Sequence, residues 1–186
     1  MIRNLPDQFP AIHNETYIDN AAQVIGDVRI AKDASIWPGA VLRGDDDNYI
    51  EVGEGSNIQD GTICHVTPDH PLIVGKFVTV GHRAILHACT IHDEALIGMG
   101  AIILDGAIIE KGAQVGAGAL VPAGVRIPAG VRIPAGALAI GLPAKVVRLL
   151  TTEEREDMRT NATEYIELWR KHYSPQHDIP NRGETS

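Results

Sequence analysis

The feature that most constrains this chain is a period of six. From Ile91 onward it divides into IHDEAL, IGMGAI, ILDGAI, IEKGAQ, VGAGAL, VPAGVR, IPAGVR and IPAGAL. Every block opens with Ile or Val: Ile91, Ile97, Ile103, Ile109, Val115, Val121, Ile127, Ile133. Its fifth position is always Ala or Val. An earlier tract keeps the rhythm at Val24, Ile30, Ile36 and Leu42, then Val52, Ile58 and Cys64, then Val74, Val80 and Leu86. Six is neither the 3.6 of an amphipathic helix nor the 2 of a half-buried strand. One short strand plus one tight turn per block explains it. The aliphatic residue points inward, the small residue lets the corner close, and Gly supplies the turn dihedrals. Three blocks make one triangular coil, and coils stack as a parallel β-solenoid.

The solenoid is expected over residues 12–148, after an N-terminal segment at 1–11. Thr151-Thr152-Glu153-Glu154-Arg155 reads as a helix start with a Thr N-cap and an acidic first turn. Met158, Ala162, Tyr165, Ile166, Trp169 and Tyr173 then fall on one helical face. The helix is placed at 149–173, packing on a solenoid, and 174–186 is expected as a loose tail. With aromatics at 4%, the core must be aliphatic. A balance of 16 basic against 24 acidic residues disfavours a nucleic-acid partner. No run of apolar residues suits a membrane span or a signal peptide, and two cysteines make no disulfide framework. A cytoplasmic protein with reduced thiols is the expectation.

The repeat also supplies coordinates. Leu42, Cys64 and Leu86 are 22 residues apart, one coil of 18 plus four. The extra residues are visible as two excursions, around Asp45-Asp46-Asp47-Asn48 and Thr67-Pro68-Asp69-His70-Pro71. Those three residues share an inward column, so Arg43, His65 and His87 share the outward one. Strands lie about 4.8 Å apart, which makes His65 and His87 neighbours. The same spacing aligns Ile58 with Val80, and hence Gln59 with Gly81 and Asp60 with His82. His82 precedes His87 by five residues of extended chain, up to about 16 Å. Zinc–imidazole bonds are about 2.0–2.1 Å. One chain cannot easily bring all three rings to a metal, but a second solenoid offering its His82 can. A closed ring joined in this way is naturally a trimer. His13, His92, His172 and His177 read as solvated, and His70 stays open. Cys64 is inward and reads as a buried apolar residue, whereas Cys89, in the turn after His87, could be that or a ligand and is left out of the metal set.

Several motifs at these positions resemble the gamma-class carbonic anhydrase family of hexapeptide-repeat proteins. They are Arg43-Gly44-Asp45, Asn57-Ile58-Gln59-Asp60-Gly61, Cys64-His65 and Gly81-His82-Arg83-Ala84-Ile85-Leu86-His87. The resemblance implies an all-β fold, a left-handed parallel β-helix with a C-terminal α-helix, assembled as a homotrimer. It implies that His65, His82 and His87 bind Zn2+, or Fe2+ or Co2+, across the trimer interface. Arg43 and Asp45 would stabilise that interface, Arg43 pairing across it with Asp45 or Asp60. Gln59 would orient the reactive water, with Asn57 and Asp60 in the same pocket. The implied reaction is attack on CO2 by a metal-bound hydroxide, giving bicarbonate. Two family elements are unmatched. The glutamate proton shuttle falls near Pro68, where only Asp69 and His70 stand close by. A Tyr-x-Asn element is absent from Gly136-Ala137-Leu138-Ala139-Ile140-Gly141.

The same repeat serves acyltransferases and enzymes acting on CoA thioesters, which use one His as base and need no metal. A metal-binding trimer without turnover is the third reading. Finally, Gly124-Val125-Arg126-Ile127-Pro128-Ala129 recurs unchanged at residues 130–135. This reads as one added hexad, a third of a coil, lying after every site residue.

Overall fold

The computed structural model describes residues 1–123 and 132–173. The chain forms a parallel β-helix followed by one long helix. Short strands recur on three faces, giving three stacks whose members are successive coils. One face runs from Ile2–Arg3 through Val41–Gly44, Ile63–His65 and Ile85–His87 to Leu120–Val121. The ladder therefore begins at residue 2, where Ile2 pairs with Val24, ahead of the boundary expected at residue 12.

The six-residue register accounts for the core. Ile97, Ile103, Ile109, Val115 and Val121 are fully buried, as are Ala101, Ala107 and Ala113 in the corners between them. Each such aliphatic side chain contributes roughly 1.5–3 kcal/mol through burial. Gly100, Gly106, Gly112 and Gly118 turn the chain at the fourth position of their blocks with φ between +62° and +67°, a region other residues enter only with strain. Gly81 serves a different need. A Cβ there would lie 2.8 Å from the Met99 backbone nitrogen, so the next coil stacks beneath His82 only because none is present.

The C-terminal end of the stack departs from the repeat. Ala137–Gly141 and Ala144–Leu149 form an antiparallel hairpin at the C-terminal end. Just before it, Ile109 pairs with Ile133, 24 residues on, where Ile91 pairs with Ile109 after 18. Six residues more than one coil therefore separate Ile109 from its partner, and Ile133 still falls on the same face. An extra third would have carried every later strand onto the wrong face. Most of the duplicated segment lies outside the described residues, as does the tail expected at 174–186.

The helix Thr152–His172 opens with a capping box. Thr151 accepts from the Glu154 backbone N–H, and the Glu154 side chain accepts from the Thr151 N–H. The Arg148 guanidinium beside Glu154 holds its carboxyl down at about 2. The helix then runs back along its own solenoid. Arg159 meets Glu94, Asn161 meets Thr79, and Arg170 meets Asp33. Met158, Ala162 and Trp169 of the expected face are buried, Tyr165 and Ile166 are half-buried, and Tyr173 is exposed. Trp169 and Tyr173 close an aromatic cluster with Tyr17, Trp37 and Tyr165. No helix among the described residues is long and apolar enough to cross a membrane.

Candidate metal centre

Strands Val41–Gly44, Ile63–His65 and Ile85–His87 lie side by side in parallel register. His65 stands opposite His87 on one side and Arg43 on the other. Alternation along each strand buries Leu42, Cys64 and Leu86 and turns Arg43, His65 and His87 outward. The spacing of 22 residues found this column, and the two imidazole centroids are 5.1 Å apart.

The contacts of these rings define what they can do. His65 Nδ1 faces His87 Nε2 at 3.1 Å. The remaining nitrogen of each ring meets a carboxylate: His65 Nε2 lies 3.0 Å from Asp45 Oδ1, and His87 Nδ1 lies 2.5 Å from Asp105 Oδ1. An ionised carboxylate only accepts, so in a neutral imidazole the proton sits on the nitrogen facing it. The two nitrogens that face each other then both carry lone pairs. Two lone pairs this close repel unless a proton or a metal ion lies between them. Nitrogens bonded to one tetrahedral zinc are about 3.3–3.4 Å apart, from bonds of about 2.0–2.1 Å. The pair thus fits a metal, with carboxylates orienting the ligands from behind.

His82 follows the same pattern from the corner after Thr79–Val80. Its Nδ1 lies 2.9 Å from Asp60 Oδ2, leaving Nε2 open. It does not join the other two. Among the described residues, one group of three potential ligands has all its donor atoms within 4.8 Å, and it is Asp45, Asp46 and His65. Asp45 is already engaged, because Arg43 donates to its Oδ2 at 2.5 Å. Within the single chain Arg43 thus meets Asp45, two residues on at the same strand end; the expected pairing across an interface concerns a second copy. Burial pushes the Asp45 carboxyl up, while hydrogen bonds and charge from Arg43 and His65 outweigh it and leave the group below its ordinary value.

Asn57 and Gln59 occupy a different face, under the C-terminal helix. Both are buried, Asn57 completely and Gln59 to 4% exposure. Gln59 Nε2 donates to Asn57 Oδ1 at 3.0 Å, and Asn57 Nδ2 donates to Thr79 Oγ1 at 3.0 Å. Thr79 Oγ1 donates in turn to Asn161 Oδ1, also at 3.0 Å. Such a row is tolerated in the interior because its polar atoms bond to one another.

Sequence reasoning missed Asp105, Thr79 and Asn161. Asp105 was within reach of the arithmetic. Leu86 pairs with Ile103, so Asp105 falls one residue past the position opposite His87. Thr79 pairs with Asn57 at the familiar spacing of 22. Asn161 was out of reach, because nothing in the repeat says which residue of a distant helix covers that row. Cys89, left undecided by its turn position, is buried like Cys64. Burial pushes the Cys64 thiol up to about 12 and that of Cys89 well above its ordinary value, so neither offers a thiolate ligand.

Comparison with known proteins adds an independent line. The family pattern "Bacterial transferase hexapeptide (six repeats)" matches residues 88–123. A protein of Geobacillus kaustophilus named carbonic anhydrase is 46% identical, covering 90% of this chain and 88% of its own length. Gamma carbonic anhydrase 1, mitochondrial, of Arabidopsis thaliana is 44% identical, covering 92% of this chain and 62% of that protein. Among solved structures, one from Bacillus cereus described as a putative acetyltransferase superimposes with a TM-score of 0.83 at 43% identity. That match covers 90% of this chain and 93% of the other.

Proposed function

Since this chain belongs to the gamma-class carbonic anhydrase family, we propose that it hydrates CO2 reversibly to bicarbonate at a metal site shared between copies of the chain. The observation that carries the reading is the facing pair His65 Nδ1 and His87 Nε2 at 3.1 Å, each ring backed by a carboxylate. His65 and His87 of one copy and His82 of another are the proposed ligands, and zinc, iron or cobalt suits three imidazoles. A metal bound there supplies Lewis acidity and makes a water nucleophilic near neutral pH. Asp105, Asp45 and Asp60 hold the imidazoles in their tautomers. Gln59 orients the nucleophile, Asn57 supports Gln59, and Arg43 ties Asp45 in place. His70 Nε2 comes within 3.7 Å of where a Cβ on Gly106 would stand, beside Asp105, and this imidazole is the proposed acceptor of the released proton.

Assembly as a trimer is supported by the face that carries the histidines. Its outward column beside them is aliphatic through Val41, Ile63, Ile85, Ile102 and Leu120. Ile63 and Ile85 are left 41% and 37% exposed in a single chain. The third face is covered by the helix, and the second presents Arg29 and Glu51 at its surface. A neighbouring copy that covers the aliphatic column brings its corner residues toward His65 and His87. Free, buried thiols at Cys64 and Cys89 support a reducing, cytoplasmic setting.

The acyl-transfer reading leaves two of three carboxylate-backed imidazoles without a task. The deciding experiment is metal analysis of the purified protein, followed by stopped-flow CO2 hydration after loading with zinc, cobalt or anaerobic iron. Bound metal with measurable turnover is expected. A loaded trimer without hydration would leave a metal-binding protein and remove the enzyme.

A further inference from the structure

The buried row under the helix has a direction, and that direction starts outside the solenoid. Asn161 Oδ1 accepts the hydroxyl proton of Thr79. The lone pairs of Thr79 Oγ1 are then left for Asn57, which donates through Nδ2. Asn57 must therefore present Oδ1 to Gln59, and Gln59 must donate through Nε2. What remains is Gln59 Oε1, which makes no hydrogen bond to the described residues and is not sealed from solvent. Reversing the first link would reverse all of them. A donor at position 161 would make Thr79 donate to Asn57 Oδ1, turn Asn57 Nδ2 toward Gln59, and leave Gln59 Nε2 free.

We infer that Asn161 is a positioning residue for Gln59, acting through Thr79 and Asn57 to fix which amide atom of Gln59 is left free. The inference rests on the carbonic anhydrase reading for its consequence. A free carbonyl accepts an O–H from the attacking water and leaves that water's lone pair aimed at CO2. A free amide N–H would donate to the same lone pair and blunt it. The C-terminal helix therefore belongs to the site as well as to the packing, although it contributes no group that touches substrate. Thr79 is 4% exposed and Asn57 is fully buried, so solvent cannot replace either link in the row.

The test combines two readouts. Selective 15N-glutamine labelling gives side-chain NH2 signals, and the one missing from Gln59→Glu belongs to Gln59. In the wild type this NH2 exchanges slowly with water, because Asn57 holds it. In Asn161→Ala and Thr79→Val it should exchange at least about tenfold faster. Turnover of CO2 should fall by about tenfold with metal content unchanged, the scale of losing one orienting partner. Asn161→Asp keeps an acceptor and removes the donor, so it should restore slow exchange and most of the turnover. Thr79→Ser, which retains the hydroxyl, guards against a packing effect of the valine. Unchanged exchange in Asn161→Ala, or failure of Asn161→Asp to restore it, overturns the inference. If exchange responds as stated while the loaded wild type hydrates no CO2, the relay stands and the catalytic reading falls.

Discussion

His65 Nδ1 and His87 Nε2 face each other at 3.1 Å across one rung of a parallel sheet, each ring held from behind by an aspartate. This relation makes Asp105 as important as the histidines. Without it, the His87 proton is free to move to Nε2 and block the nitrogen proposed to bind the metal. Asp105→Asn should lower metal affinity by about 10–100-fold. Competition with a chelator measures it, and an unchanged affinity would mean that the tautomer is set by something else.

Subunit complementation distinguishes a shared site from a local one. His82→Ala alone and the double variant His65→Ala/His87→Ala should each lose tight metal binding. Mixed trimers, refolded together and isolated by a tag on one variant, should recover metal at some interfaces. Each variant supplies what the other lacks. No metal in verified mixed trimers would show that His82 is not shared.

The aliphatic column gives a stability prediction independent of function. Ile103 is fully buried between Leu86 and Val121 of adjoining coils. Ile103→Ala should cost about 2–5 kcal/mol, because stacked coils cannot collapse into the space left. Chemical denaturation of the metal-free protein measures it. A change under about 1 kcal/mol would contradict close packing of the column.

The two thiols predict an alkaline limit. Both are raised in the folded protein, Cys64 to about 12. Their contribution to stability is therefore complete below the ordinary thiol value of about 8.5. It is lost as pH rises from there toward the folded values, because the unfolded chain releases the protons first. Denaturation midpoints should fall between about pH 9 and 12, and less steeply in Cys64→Ala/Cys89→Ala. A thiol reagent at pH 8 should find neither cysteine in the native protein and both in denaturant.

Much of this site was open to arithmetic on the chain. A fixed coil length converts sequence separation into spatial adjacency, so 22 residues put His65 beside His87 and Asn57 beside Thr79. The same rule reaches Asp105, once the one-residue phase slip after Leu86 is carried through. It gave no access to the ion pair of Arg43 with Asp45 inside one chain. Two residues at the end of a strand can turn toward each other or toward a neighbour, and side-chain torsions settle that choice. Nor did it foresee that Ile109 would pair with Ile133 after 24 residues, because keeping each later strand on its own face is a requirement of the whole stack.

The sequence by itself determined the solenoid, its aliphatic core and the histidine column, because each follows from a local period repeated along one axis. Only the tertiary structure decided which nitrogen of each imidazole is left open, since that depends on where Asp45, Asp60 and Asp105 point. It alone decided the register of the C-terminal helix on the third face, and so the partner of Thr79. A helix docks by matching two surfaces whose separation along the chain carries no fixed period, and no counting of residues could have set Asn161 over that row.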